Sequence, residues 1–474
     1  MEETKLSSTV VEPALPFDGS IILTSNEYTE KKTPVPVSKS ERIQTIDIVR
    51  GFALLGILLM NIPGFGIDRS VFWNIINGPT NNRDYYALAG MATFFEGTMR
   101  GLFSMLFGAA MILFTLNKRE TPGGLTVAEA YYRRLMWLVL FGMINAYILL
   151  WQGDILFYYG LIGMLLYPLR KSSPKWLLML GILCFVIGVY KGMSGYLDMR
   201  EKRAKYLTAV TAEKQKKTLT AEQKTDKEAW IEIEKNSKPD PENKIRHVNK
   251  MRSDYGTIFT YFIPGNSNGE AWGTYHAIWD MLGMMLIGMG LFTIGFFSNR
   301  LPTSTYAMTL LIGYGIGIPI SWIFFSKGWV GSNNIAQYVD AYRVPHWVLY
   351  DLRRLLLAVG HAAAIMLVFR SKVIPWLMNG LGNVGQMAFT NYLMQSIICT
   401  LFFYGYGFGN YDKLRFYELY FVVGTVWIFQ LIFSSIWLRY FRFGPFEWLW
   451  RSLTYWKLQP MRIKPKTVTV SPLV

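Results

Sequence analysis

The side chains best suited to proton transfer in this chain stand inside stretches that are otherwise apolar. In YHAIWDMLGMMLIGMG, His276 and Asp280 are four residues apart, so a helix would turn both to one side. A carboxylate that orients an imidazole is the arrangement a general base needs. Asp154 opens a further apolar run, WQGDILFYYG, either as a helix N-cap or as an acid–base group. In IDIVRGFALLGILLMN, Asp47 and Arg50 stand at i and i+3 at one end. Asn61 lies 14 residues beyond Asp47, about 21 Å further along a helix axis. Glu96 and Arg100 repeat the pairing at i and i+4. Asn391 and Gln395, one turn apart in FTNYLMQS, suit hydrogen bonds between helices or contacts to a substrate. His346 and His361 bracket Asp351, Arg353 and Arg354, and paired arginines suit an anionic partner or lipid headgroups. Near the C-terminus, Glu447 and Arg451 stand at i and i+4 among tryptophans. Ionisable groups are costly in hydrocarbon, so together these residues point to a polar interior. Caps, snorkelling anchors and interhelical ion pairs are the structural alternatives for each.

Composition sets the scaffold that carries these groups. The 474 residues are 51% hydrophobic and 17% charged, with a mean hydropathy of +0.22, which indicates an integral membrane protein. Apolar runs near 47–66, 93–115, 135–151, 154–169, 175–193, 276–297, 303–325, 346–369, 385–407 and 416–441 predict an all-α polytopic bundle of about ten transmembrane helices. Lys and Arg concentrate on the flanks that place both termini inside, which also accounts for the net charge of +16 without a nucleic-acid partner. Residues 1–42 read as a disordered cytoplasmic tail, 43–193 and 255–462 as two transmembrane bundles of about five helices each, and 463–474 as a flexible tail. Between the bundles, 194–254 is a charged extramembrane segment. Its stretch 198–235 lacks Gly and Pro and is predicted helical, either a solvated hairpin or a cap over an outward-facing cavity. Cys184 and Cys399 fall within predicted spans as apolar core residues, no Cys/His spacing predicts a metal, and no inverted repeat is evident.

The blocks DIVRGFALLGILLMN, LFSMLFGAAM, GDILFYYGLIGMLL, MLIGMG, MAFTNYLMQSI and GPFEWLWRSLTYWKLQP, in this order across residues 42–462, resemble the YeiB-like family of bacterial inner-membrane proteins. That resemblance implies an inner-membrane location. The Asp-x-x-Arg-Gly opening, here Asp47, Arg50 and Gly51, also resembles that of the membrane acyltransferases that include heparan glucosaminide acetyltransferase. This implies transfer of an acyl group from cytosolic acyl-CoA to a hydroxyl or amine across the membrane, on a small-molecule or lipid or glycan acceptor. In those enzymes the catalytic histidine follows the first helix, but residues 62–95 contain none. The base would then be His276 with Asp280, or Asp154. Asp47, Arg50, Asn61, Glu96, Arg100, Asn391 and Gln395 would bind substrate. The alternative is a transporter or flippase for a small organic anion or lipid intermediate using the same paired charges, and a third reading is a membrane scaffold. Membrane lipids are expected partners, and association with a second copy stays open.

Overall fold

A computed structural model describes residues 43–116, 126–329 and 331–463, with the backbone alone for Leu116, His276 and Ser332. The tails expected at the chain ends lie outside the described residues, apart from Ile463. Among the described residues the regular elements are helical, and the single extended contact is a bridge between Phe441 and Arg462.

Helix α1 (Gln44–Gly66) has 23 residues, enough to cross hydrocarbon about 30 Å thick. Asp47 occupies its first turn, where the helix dipole favours a carboxylate. A short turn leads to α2 (Ser70–Asn77). Next come α3 (Arg83–Phe94) and α4 (Thr98–Leu116), one apolar run interrupted at residues 95–97. The interruption turns on Gly97, whose φ of +67° is a left-handed conformation that strains any residue with a side chain. A capping box between Thr126 and Glu129 starts α5 (Val127–Met143), and a π-helical turn at Ile144–Ile148 ends it. α6 (Leu156–Gly163) passes after two turns into a 3-10 segment containing Pro168, which has no N–H with which to continue a helix.

α7 (Pro174–Lys214) has 41 residues, about 60 Å, so one half of it projects well beyond a bilayer. α8 (Ala221–Asn236) folds back along that projecting half and buries Trp230 completely. α9 (Pro241–Met251), N-capped by Asp240, returns the chain to the bundle and presses Val248 and Met251 into an apolar cluster with Ile258, Tyr404 and Tyr411. The remainder comprises α10 (Tyr255–Asn268), α11 (Thr274–Thr293), α12 (Thr303–Ile323), α13 (Ile335–Ala341), α14 (Tyr350–Ser371), α15 (Pro375–Gln386), α16 (Ala388–Phe403), α17 (Leu419–Tyr440) and α18 (Pro445–Tyr455).

Six of the described helical runs are long and apolar enough to cross a membrane: α1, α3 with α4, α7, α12, α14 and α17. α10 and α11, bent by 59° at their junction, would make a seventh. The difference from about ten lies in local breakers. α5 has 17 residues with Glu129, Arg133 and Arg134 near its start, α6 has eight, and α16 has 16. The most apolar stretch of α1 is 67% buried against 22% for α7, α12 and α17, so α1 is central and those three present their sides to lipid. Helices from before and after the 194–254 segment interleave: α1 packs on α15, and α4 on α11. At the first of these contacts a Cβ on Gly51 would overlap the Leu381 carbonyl, and one on Gly385 the Asp47 carbonyl, so the two backbones meet through glycine.

Candidate functional site: a cavity and a buried charge cluster

At the end of the bundle where α1 begins, a cavity of about 230 Å³ enters between α1, α4, α5, α6, α16 and α18. Its mouth is polar. Arg50 donates to Asp47 at 2.8 Å, Arg134 stacks 3.7 Å from the Trp450 ring centre, and Arg451 lies beside them. Its walls are apolar, with Leu106, Phe107 and Leu138 among them, and its deep end is formed by Phe103, Tyr159 and Tyr392. From Phe114 near the mouth to Phe103 at the deep end, α4 alone spans about 16 Å.

The C-terminal block builds the mouth. Glu447, expected to pair with Arg451, accepts from the backbone N–H groups of Phe389 at 2.7 Å and Thr390 at 3.0 Å, and from the Thr390 hydroxyl. α16 has no side-chain cap of its own, so Glu447 supplies one from another helix and meets the positive end of its dipole. Trp450 donates its indole N–H to the Arg134 carbonyl at 2.9 Å, tying α18 to α5.

Beyond the deep end lies a cluster of buried charges around the break between α3 and α4. Glu96 and Arg100 do not pair with each other, because the chain turns at Gly97 and destroys the i, i+4 geometry expected of them. Glu96 instead pairs with Arg353 and accepts from the Tyr350 hydroxyl at 3.2 Å. Arg100 pairs with Asp280 at 2.6 Å, and the other oxygen of Asp280 takes Arg354, also at 2.6 Å. Arg354 further reaches Asp351 at 3.3 Å and the Gly97 carbonyl at 3.1 Å. His361 faces the Phe94 carbonyl through Nε2 at 3.0 Å, so that nitrogen carries the proton and Nδ1 accepts from Tyr314 at 2.6 Å. α14 thus satisfies the carbonyls that the break sets free, the condition under which a broken helix is tolerated in a membrane. Arg353, Arg354 and His361 are neighbours of the break that residue spacing alone did not link to Glu96. The one local signal was an acid followed by glycine within an apolar run.

Asp154 is buried and accepts from Asn145 at 2.7 Å and from the backbone of Phe157 at 2.9 Å. It also accepts from the hydroxyl of Tyr392 at 3.4 Å, so one hydroxyl separates it from the cavity. Tyr159, at the same end, shares a 2.7 Å hydrogen bond with Ser104 and donates to the Arg100 carbonyl at 3.2 Å. The cavity floor therefore touches both the Asp154 site and the charge cluster. His276 lies on the first turn of α11, and its side chain is outside the described residues, so the pairing expected of it with Asp280 is not described; Asp280 itself is held by two guanidinium groups.

Three of the expected binding residues lie elsewhere. Asn391 and Gln395 are fully buried between α16 and α17, where Asn391 donates to Ser434 at 2.9 Å and Gln395 to Gln430 at 3.0 Å. Gln430 closes the network by donating to the Asn391 carbonyl at 2.8 Å. That is an interhelical seam rather than a lining of the cavity. Asn61 is half-buried near the far end of α1.

Fold and site together define an all-helical, multi-pass membrane protein with an apolar cavity that has a charged mouth. The chain belongs to the YeiB-like family. It is 31% identical to the uncharacterized protein YeiB of Escherichia coli (strain K12) over 425 residues, 87% of this chain and 96% of that protein. It is 28% identical to the uncharacterized protein YxaH of Bacillus subtilis (strain 168) over 448 residues, 91% and 98% of the two chains. Residues 291–457 match a family described as "Protein of unknown function (DUF418)". No solved structure matches the chain.

Proposed function

We propose that the protein is an acyltransferase of the bacterial inner membrane, moving an acyl group from cytosolic acyl-CoA to a hydroxyl or amine acceptor at the opposite side. The observation that carries this reading is the cavity: a mouth with Asp47, Arg50, Arg134 and Arg451, then an apolar passage ending at tyrosines. Guanidinium groups at the mouth suit the phosphates of CoA, and the apolar passage suits its pantetheine arm and acyl chain. In the reaction the acceptor oxygen or nitrogen attacks the thioester carbonyl and gives up its proton, the C–S bond breaks, and the CoA thiolate takes a proton. Asp154, acting through Tyr392, is the base in this reading. His276 beside Asp280 is the other candidate. The Arg100–Asp280–Arg354 cluster holds the passage's inner end in place.

Thermal-shift titration of the purified protein with CoA and acetyl-CoA tests the reading. Occupancy at about 100 times Kd would stabilise the fold by about 2.7 kcal/mol. No stabilisation at millimolar ligand would overturn it. Leu138→Trp, which fills the passage midway, should abolish the ligand-induced shift. In turnover assays Asp154→Asn is expected to lose transfer while His276→Ala retains it, and the reverse pattern would move the base to α11. Passage of the acceptor across vesicles without any acylated product would favour transport instead.

A further inference from the structure

At the opposite end of α1 from the cavity mouth lies a second depression, about 420 Å³, whose chemistry is unlike the first. One wall is the Asp68–Ser70 turn between α1 and α2, and the other is α9 with Tyr261 of α10. Four cations line it: Arg69, Lys244, Arg246 and Lys250. Its two acids each accept from nearby amides, Asp240 as the N-cap of α9. Asp68 accepts from the Ser70 backbone at 2.9 Å, and Asp240 from the Glu242 backbone at 2.9 Å and the Asn243 side chain at 2.8 Å. Lys244 pairs with Asp412 at 3.3 Å. Among the described residues Arg69, Arg246 and Lys250 have no carboxylate partner, although Arg246 donates to Asn243 at 2.6 Å and Lys250 stands 4.5 Å from the Tyr261 ring centre.

His247 stands in the same wall, its ring held between two hydroxyls. Tyr411 donates its proton to the Ile67 carbonyl at 3.0 Å, so it can only accept from His247 Nε2 at 2.9 Å. Nδ1 stands 2.8 Å from the Tyr261 hydroxyl, and burial of the ring lowers its pKa, which favours the neutral imidazole. The decisive observation is Ser70. The residue lines the depression, is more than nine-tenths buried, and its hydroxyl has no hydrogen-bond partner. A buried hydroxyl without a partner costs free energy that a ligand's acceptor oxygen would recover.

We infer that this depression binds a phosphate group, with Ser70 donating to one oxygen and Arg69, Arg246 and Lys250 neutralising the charge. The volume admits a phosphate together with the first few atoms attached to it. On the acyl-transfer reading this is the side from which the acceptor comes, yet the binding claim stands without that reading, because its test measures no turnover. The phosphate could belong to a soluble ester or to a lipid headgroup, and two arms separate them.

The full-length protein is placed in phosphatidylcholine nanodiscs and titrated with inorganic phosphate and with glycerol phosphate, following thermal stability. In parallel, nanodiscs containing phosphatidylglycerol are compared with pure phosphatidylcholine. Stabilisation in the first arm assigns a soluble source, and stabilisation in the second alone assigns a lipid. In either case the double variant Arg69→Gln, Lys250→Gln should weaken binding by about tenfold or more, the size of one charge-assisted hydrogen bond. Ser70→Ala should weaken it several-fold without lowering the unliganded melting temperature, since the hydroxyl it removes has no partner in the unliganded protein. Stabilisation in neither arm overturns the inference, as does an equal shift in wild type and both variants.

Discussion

Arg353 and Glu96 form a buried ion pair in which neither partner can be removed alone without penalty. Arg353 is wholly buried against the Glu96 carboxylate, so Arg353→Ala strands a negative charge inside the bundle. The expected loss is about 3–5 kcal/mol of stability. The double variant with Glu96→Gln should recover much of it, as read by thermal unfolding in detergent. A pair that contributed only surface attraction would show neither the loss nor the recovery. Glu96 also marks where sequence reasoning fails. Spacing along one helix joined it to Arg100, because a local rule sees only residues three or four apart, whereas Asp47 and Arg50, three apart on unbroken α1, do pair at 2.8 Å. Asp280 finds its partners 180 and 74 residues away in the chain, and no local pattern encodes that. The polar character of Glu96 and Asp280 was legible, and their partners were not.

Elements were easier to read than contacts. The long apolar runs of α1, α7, α12, α14 and α17 follow from length and hydropathy alone. The runs at 135–151, 154–169 and 385–407 resolve into shorter helices, π and 3-10 turns, because Asn145, Pro168 and the Gln386–Met387 junction interrupt them. The function of GPFEWLW was also hidden, since a cap supplied by one helix to another depends on tertiary approach. Two substitutions test these elements. Glu447→Ala should cost about 1–2 kcal/mol, as loss of an N-cap does, with faster hydrogen exchange at the amides of Phe389 and Thr390. Gly97→Ala puts a side chain into a left-handed residue and sets its Cβ 2.6 Å from the Tyr350 hydroxyl. It should cost about 1–3 kcal/mol, and unchanged stability would show that the α3–α4 break is not held by Gly97.

Across the assembled bundle, the docking of α9 should depend on pH. Burial between the two tyrosines lowers the His247 pKa below the usual histidine value, and the nearby Asp68 and Asp412 oppose this less strongly. A depressed histidine binds fewer protons folded than unfolded, so its contribution to stability is complete above the unfolded pKa of about 6.5 and is lost as pH falls below it. Proteolysis or hydrogen exchange in α9 should therefore accelerate below about pH 6.5, while exchange in α1 is unaffected. His247→Gln should flatten that dependence.

The length of α7 makes it a lever. It is one unbroken rod whose membrane half packs on α11, the helix that carries Asp280. Its projecting half is tied to α13 and the residue just after it, by Arg203 to Asp340 at 2.7 Å and by Tyr196 to the Tyr342 carbonyl at 2.7 Å. No proline lies within the rod after its first residue, and the Ser194–Gly195 pair near its midpoint is where it would bend most easily. A swing of about 5° about the midpoint moves each end by about 2.5 Å, given a half-length of about 30 Å. A tilt of the extramembrane hairpin would reach α11 through the contact of Gly188 with Trp279, the residue before Asp280.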